Sequence, residues 1–154
     1  MKLLTAFVVA AAAAFSAVAL ADQSHAAIER LPAVTINGKP LPFSAGVRVG
    51  EVLYLSGQIG LGPDDKLPTE FHAQTKNTLD RIGGTLKSVG LSWKDVIRCT
   101  VLLSDMANWP AFNEIYATYV DPKHLPARSA LGTSGLALGA SVEVQCDAFD
   151  PPKK

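Results

Sequence analysis

The sequence has no excess of charge of either sign, because 14 Lys and Arg residues balance 14 Asp and Glu residues without clustering. A chain without a basic stripe lacks the usual electrostatic attraction for nucleic acid or anionic lipid. The phosphate-binding patterns G-x-x-x-x-G-K and G-x-G-x-x-G are missing, and so is the G-x-S-x-G pattern of a nucleophile elbow. The composition and motifs therefore argue against a nucleic-acid-binding protein, a nucleotide-binding protein and a serine hydrolase of that type.

Histidine and cysteine are too scattered to predict a metal site. No pair among His25, His72, His124, Cys99 and Cys146 has the spacing of metal ligands. Both cysteines lie in apolar strand patterns, where a buried thiol behaves as a small hydrophobic group. The sequence therefore favours two free core thiols. A disulfide stays open as the alternative, since it requires Cα atoms within about 7 Å of each other.

The N-terminus predicts a secretory signal peptide. Met1 and Lys2 precede an apolar run from Leu3 to Leu20, and Ala19-Leu20-Ala21 fits an A-x-A cleavage site. We expect residues 1–21 to be removed and residues 22–154 to form a single domain in the periplasm or outside the cell, without membrane association. An uncleaved membrane anchor is the alternative, because the run approaches the length of a spanning helix.

The rest of the chain predicts an α+β domain. The mature segment begins with a loose leader over residues 22–28, and strand patterns follow at 34–36, 44–49, 52–59 and 96–103, with two more inside 125–145. Apolar residues at a spacing of three and four predict one helix from the N-cap Thr69 to a stop at Gly90. A second helix is predicted from Asp105 or Asn108 to Asp121. This order favours a mixed sheet with both helices on one face, and the uncovered apolar face predicts self-association.

Two charged residues stand out in the segment 125–145, which reads as two short strands joined by a Gly-rich connection. Arg128 has a planar fork suited to a carboxylate ligand, and Glu143 could handle protons. If the strands form a hairpin centred between Gly135 and Leu138, these two side chains face each other. Solvated strand charges are the alternative interpretation.

The same segment carries a specific pattern: Pro126-Ala127-Arg128-Ser129-Ala130-Leu131, then Leu136, then Val142-Glu143-Val144. Three motifs precede it in order: Leu55-Ser56-Gly57-Gln58-Ile59, Arg98-Cys99-Thr100-Val101-Leu102-Leu103, and Phe112-Asn113-Glu114-Ile115-Tyr116. Together they resemble the RidA/YjgF family of reactive intermediate deaminases, also called L-PSP endoribonucleases, over about residues 40–150.

The resemblance implies a chorismate-mutase-like fold assembled as a homotrimer with active sites between subunits. It also implies cofactor-free hydrolysis of small enamine or imine carboxylic acids, such as 2-iminopropanoate and 2-iminobutanoate, to 2-oxo acids and ammonia. By carry-over, Arg128 clamps the carboxylate and Glu143 handles water and protons. Phe43, Ser56, Asn113 and Ala130 complete the substrate pocket.

Of the positions that depart from the family pattern, two belong to the expected substrate pocket. Phe43 stands where the deaminating branch has a tyrosine whose hydroxyl reaches the ligand, and Ala130 stands where many members have cysteine. The alternative function is therefore a non-catalytic member that binds a carboxylate metabolite, or a chaperone-like member. RNA cleavage, the activity in the family's older name, is disfavoured by the near-neutral charge.

Overall fold

The computed structural model describes residues 27–151, which form a mixed β-sheet, a separate β-hairpin and two α-helices. The strands are β1 (Ile28–Arg30), β2 (Ala33–Ile36), β3 (Lys39–Ser44), β4 (Gly46–Val49), β5 (Val52–Leu55), β6 (Gln58–Ile59), β7 (Val96–Leu103), β8 (Ala127–Gly132) and β9 (Val142–Phe149). The helices are α1 (Phe71–Ser88) and α2 (Trp109–Tyr116). The signal peptide predicted over residues 1–21 lies outside the described residues. Within residues 27–151, no helix is long and apolar enough to cross a membrane.

The main sheet has the strand order β1-β4-β5-β9-β7-β8, and β6 also pairs with β9. Only the β7–β8 pair is parallel, so the sheet is mixed as predicted. The core lies between this sheet and the helices and includes Leu79, Leu86, Val101, Phe112 and Val144. The α+β architecture with both helices on one face is therefore confirmed.

Helix α1 follows its sequence pattern closely, with Leu79, Ile82 and Leu86 buried on the face that packs on the sheet. Its N-cap is Glu70 rather than the predicted Thr69, and that side chain makes no capping hydrogen bond. The predicted stop is confirmed, since Gly90 adopts φ +84°, a conformation that glycine tolerates after a helix end.

The second helix is shorter than predicted. Asp105 caps a one-turn 3₁₀ helix at Met106–Asn108, after which α2 runs only to Tyr116. The backbone beyond it turns tightly instead of continuing to Asp121, with the Tyr119 N–H donating to the Tyr116 carbonyl.

The N-terminal part contains more ordered structure than its sequence indicates. Strand β1, which begins at the end of the predicted loose leader, pairs with β4. The dipeptide Asn37-Gly38, which is typical of tight hairpin turns, has φ values of +51° and +71° and joins β2 to β3. These two strands form a separate hairpin beside the main sheet.

The prediction of two free thiols is wrong, because Cys99 and Cys146 form a disulfide with Cα atoms 4.1 Å apart. They lie directly opposite each other on the antiparallel strands β7 and β9, so their side chains point to the same buried face. Sequence patterns gave no strand order and therefore no such pairing. A disulfide fits the oxidising compartment that the signal peptide predicts.

Candidate functional site

A cavity of about 370 Å³ lies beside β6, between the β2–β3 hairpin, helix α1 and the loop that precedes β9. Most of its wall is apolar, and its polar side chains are Gln58, Arg81 and Glu143. Its other lining residues include Val34, Ile36, Leu41, Phe43, Gly57 and Leu138.

Glu143 reaches the cavity because of its position in β9. Its neighbours Val142 and Val144 are buried towards the helices, so the alternation of the strand directs Glu143 to the opposite face of the sheet. The carboxylate is half-buried, and among residues 27–151 it makes no side-chain hydrogen bond and no ion pair. It is therefore free to interact with a ligand.

Gly57 makes room for that carboxylate. A Cβ atom built at Gly57 would lie 2.2 Å from Glu143 Oε1, which is far closer than van der Waals contact permits. The glycine of the L-S-G-Q-I motif thus allows the close approach of a side chain, and a Cβ atom there would displace the Glu143 carboxylate.

Phe43 and Ser56 lie near Glu143 but contribute differently. Phe43 on β3 lines the cavity with its ring 44% exposed, as expected for a wall residue. The Ser56 hydroxyl donates a 2.6 Å hydrogen bond to the Ser44 carbonyl and does not line the cavity. Ser56 therefore ties β5 to the end of β3 and positions the segment that contains Gly57.

Arg128 occupies a different environment, against helix α2. Its Nη2 donates a 2.8 Å hydrogen bond to Asn113 Oδ1. Its guanidinium carbon lies 4.6 Å from the ring centre of Trp109 and 4.7 Å from that of Tyr116, within the range of cation–π attraction. Because of these contacts, the charged group is held in one orientation before any ligand binds.

The Tyr116 hydroxyl beside Arg128 is buried and has no hydrogen-bond partner among residues 27–151. Burial raises the pKa of this phenol, and the positive charge of Arg128 offsets part of that effect. Tyr116 therefore remains neutral at physiological pH and acts as an aromatic support for the guanidinium.

The predicted hairpin between the strands that hold Arg128 and Glu143 is wrong. Strand β7 lies between β8 and β9, so Arg128 is opposite Cys99, which is opposite Cys146. The connection at 133–141 crosses the end of β7. There the Thr133 N–H donates to the Leu103 carbonyl, and the Ser104 N–H donates to the Ser141 carbonyl. A Gly-rich link is compatible with either arrangement, and the sequence did not distinguish them.

Consequently, Arg128 and Glu143 do not meet within one chain. Arg128 shares the helix-covered face with its buried neighbour Cys99, whereas Glu143 shares the open face with Leu102. Ala130 also lies on the helix side, opposite Val101, and its side chain packs against the core instead of the cavity. The predicted site residues thus separate into two groups, with Glu143 and Phe43 in one and Arg128 and Asn113 in the other.

Two cavity residues were missed by the sequence analysis. Gln58 is buried and accepts a 3.1 Å hydrogen bond from Arg81 Nε, which arises from helix α1. Gln58 belongs to the Leu55–Ile59 motif, which could have indicated it as a site residue. Arg81 lies in a helix, where an arginine is usually solvated, so no pattern indicated it. The described part of the chain contains no cluster of three or more potential metal ligands.

Comparison with known proteins adds a family context to this geometry. The family model described as Endoribonuclease L-PSP matches residues 38–149. The mouse protein named 2-iminobutanoate/2-iminopropanoate deaminase is 37% identical over 113 residues, which cover 72% of this chain and 83% of that protein. The Arabidopsis thaliana protein named Reactive Intermediate Deaminase A, chloroplastic, is 36% identical over 109 residues, or 70% of this chain and 58% of that protein.

Solved structures agree with the fold. The Rid-family protein YyfA from Yersinia pestis superimposes with a TM-score of 0.73 at 29% identity, covering 80% of this chain and 99% of that one. Escherichia coli TdcF, solved with bound serine, gives a TM-score of 0.67 at 27% identity, with coverages of 78% and 93%.

Proposed function

Because this chain belongs to the RidA/YjgF family, the family of the Endoribonuclease L-PSP model, we propose that it is a hydrolytic deaminase. Its substrates are enamine or imine carboxylic acids of the 2-iminopropanoate and 2-iminobutanoate type, and its products are 2-oxo acids and ammonia. The observation that carries the proposal is the Glu143 carboxylate, which has no partner among residues 27–151 and lies against Gly57 in an apolar cavity. The names of the deaminase relatives support this reaction class.

The reaction needs a positioned water and a route for protons. Protonation of the imine nitrogen makes the carbon electrophilic, and the water oxygen then forms a bond to that carbon. Glu143 accepts a proton from the water and returns it to nitrogen. The hydroxyl of the adduct then gives its proton to Glu143 as the C–N bond breaks and the carbonyl forms, and the 2-oxo acid and ammonia leave. No electrons are exchanged with a second reactant, so the step balances without a redox cofactor.

In this proposal, a second chain supplies the arginine that clamps the substrate carboxylate. We infer a homotrimer in which Arg128 of one subunit enters the site formed by Glu143 and Phe43 of its neighbour. Strand β8, which holds Arg128, is at the edge of the sheet, and Glu143 lies on the sheet face opposite the buried residues Val142 and Val144. A residue at an edge and a residue on an open face can meet at an interface between copies, although they are separated within one copy.

The environment of Arg128 suits the role of a carboxylate clamp. Asn113, Trp109 and Tyr116 fix the guanidinium without neutralising it, since none of them carries a negative charge at neutral pH. The remaining donors of the fork can bind both oxygens of a substrate carboxylate.

The first prediction tests these two roles directly. Arg128→Ala and Glu143→Gln should each lower ammonia release from freshly generated 2-iminopropanoate by a factor of about 10²–10⁴, the usual contribution of one acid–base group, and a comparable loss is expected for the clamp. The exposed residues Arg30 and Glu51 provide the matched controls Arg30→Ala and Glu51→Gln, which should retain the parent rate. Parent-like rates in either site variant would reject the assigned role.

A second candidate function is favoured by Phe43, whose ring has no hydroxyl to contact a ligand. In that case the site binds a carboxylate metabolite without turning it over. Thermal stabilisation by 2-oxo acids, together with no ammonia release from any imine, would favour binding over catalysis.

A further inference from the structure

We propose that the cavity beside Glu143 selects imino acids with a bulky apolar side chain, branched aliphatic or aromatic, over the imine derived from alanine. This inference rests on the proposed deaminase function and specifies its substrate class. It comes from the size of the cavity, the character of its wall and the position of its polar groups.

The cavity is too large for a three-carbon imine alone. Its volume is about 370 Å³, within the range of about 300–1,000 Å³ that is typical of sites for larger ligands. A molecule such as 2-iminopropanoate fills roughly 100 Å³, equivalent to three or four waters at about 30 Å³ each. An apolar space of this size that a substrate leaves unfilled gives no binding energy, so a larger side chain should increase the affinity.

The extra space is lined by the β2–β3 hairpin. Val34, Ile36 and Leu41 are half-buried although they belong to a two-stranded unit outside the main sheet, and all three line the cavity. Phe43 continues this wall, and the absence of a hydroxyl makes its surface wholly apolar. These residues form a surface that can bury hydrocarbon and offers no side-chain hydrogen bond to a polar substituent.

The polar groups of the cavity belong to elements other than the hairpin wall. Gln58 and Glu143 belong to the paired strands β6 and β9, and Arg81 is bound to Gln58. Arg81 also lines two neighbouring depressions, one of which it shares with Val34 and Gln58. A substrate with its C=N group at Glu143 would therefore direct its side chain towards the hairpin.

Leu138 lines the cavity in an uncommon backbone conformation. Its φ of +57° is rare for a leucine, and its side chain is 68% exposed at the cavity mouth. An apolar side chain held at that position adds to the surface that a large substrate would cover.

The test compares imines generated in place from alanine, leucine and phenylalanine by an amino acid oxidase. We expect kcat/KM for the leucine- or phenylalanine-derived imine to exceed that for the alanine-derived imine by at least about tenfold, because one methylene in an apolar pocket is worth about that factor or more. An equal or higher value for the alanine-derived imine would overturn the inference while leaving the deaminase function intact.

Two tryptophan variants test whether the hairpin wall of the cavity causes the preference for large substrates. Ile36→Trp fills the cavity and should reduce the ratio of the two kcat/KM values towards one. Thr35→Trp introduces the same side chain at the adjacent exposed residue, which does not line the cavity, and should leave the ratio unchanged. Equal effects of both variants would overturn the assignment of this wall.

A binding measurement separates the inference from the proposed catalysis. The product analogue 4-methyl-2-oxopentanoate should raise the Tm of the protein more than pyruvate does at equal concentration, and Ile36→Trp should abolish the difference. If ammonia release is absent for every imine but this difference persists, the cavity assignment stands and the catalytic proposal fails. If the larger acid raises the Tm no more than pyruvate does, the inference is overturned. The same result is expected if a neighbouring subunit fills the cavity.

Discussion

Gly57 determines where the Glu143 carboxylate can lie. Its missing side chain allows Glu143 Oε1 to occupy a position only 2.2 Å from where a Cβ atom would lie. No positive φ is involved, so the backbone itself accepts an L-residue at this position. The requirement for glycine therefore comes from the carboxylate.

This leads to a prediction for Gly57→Ala. The new methyl group should displace the Glu143 carboxylate and lower kcat, because small displacements of a catalytic group are costly. Gly84→Ala is the matched control, since a Cβ there has no neighbour within 4 Å and lies in helix α1. The control should keep its activity and gain roughly 0.5–1 kcal/mol of stability; retained activity in Gly57→Ala would contradict the role of Glu143.

Among the elements, strand β7 determines the architecture of the site. It pairs in parallel with β8 and antiparallel with β9, so it separates Arg128 from Glu143 and brings Cys99 against Cys146. The disulfide links two central strands of the sheet across 47 positions of sequence. Such a cross-link restricts the unfolded chain far more than the folded one.

The disulfide between β7 and β9 should contribute measurably to the stability of the fold. Reduction should lower the free energy of unfolding by about 2–4 kcal/mol, the usual range for a loop of this length. The double variant Cys99→Ala and Cys146→Ala should show a similar loss and no further response to reductant in urea denaturation. A parent protein whose stability does not change on verified reduction would contradict this prediction.

The elements that depend on local patterns were predictable from the sequence. Helix α1, the β4–β5 hairpin and the Asn37-Gly38 turn follow from periodicity and turn residues. The order β9–β7–β8 depends on pairing between distant segments, which local patterns do not encode. For that reason the motifs of the sequence indicate Arg128 and Glu143 as site candidates, but the prediction that they are neighbours is wrong. No sequence pattern indicated Arg81, because an arginine in an amphipathic helix is usually a solvated surface residue.

For the whole molecule, the open face of the sheet is the main feature that one chain leaves unexplained. Tyr54 is 47% exposed and Leu131 is 49% exposed; Tyr54 pairs with Asp147, and Leu131 lies in the row of Leu102 and Glu143. Large apolar side chains on one sheet face usually mark an interaction surface. We propose that this face is buried in a homotrimer of exported chains, and that the assembly completes each site.

The most direct test of this account is complementation between two inactive variants. Arg128→Ala and Glu143→Gln chains with different affinity tags are co-expressed, hybrid trimers are isolated through both tags, and ammonia release is measured with freshly generated imine. In a cyclic trimer whose sites combine Arg128 of one subunit with Glu143 of the next, every hybrid has one intact site, so about one third of the parent activity should return. Verified hybrids that remain as inactive as the two single variants would contradict a site shared between subunits.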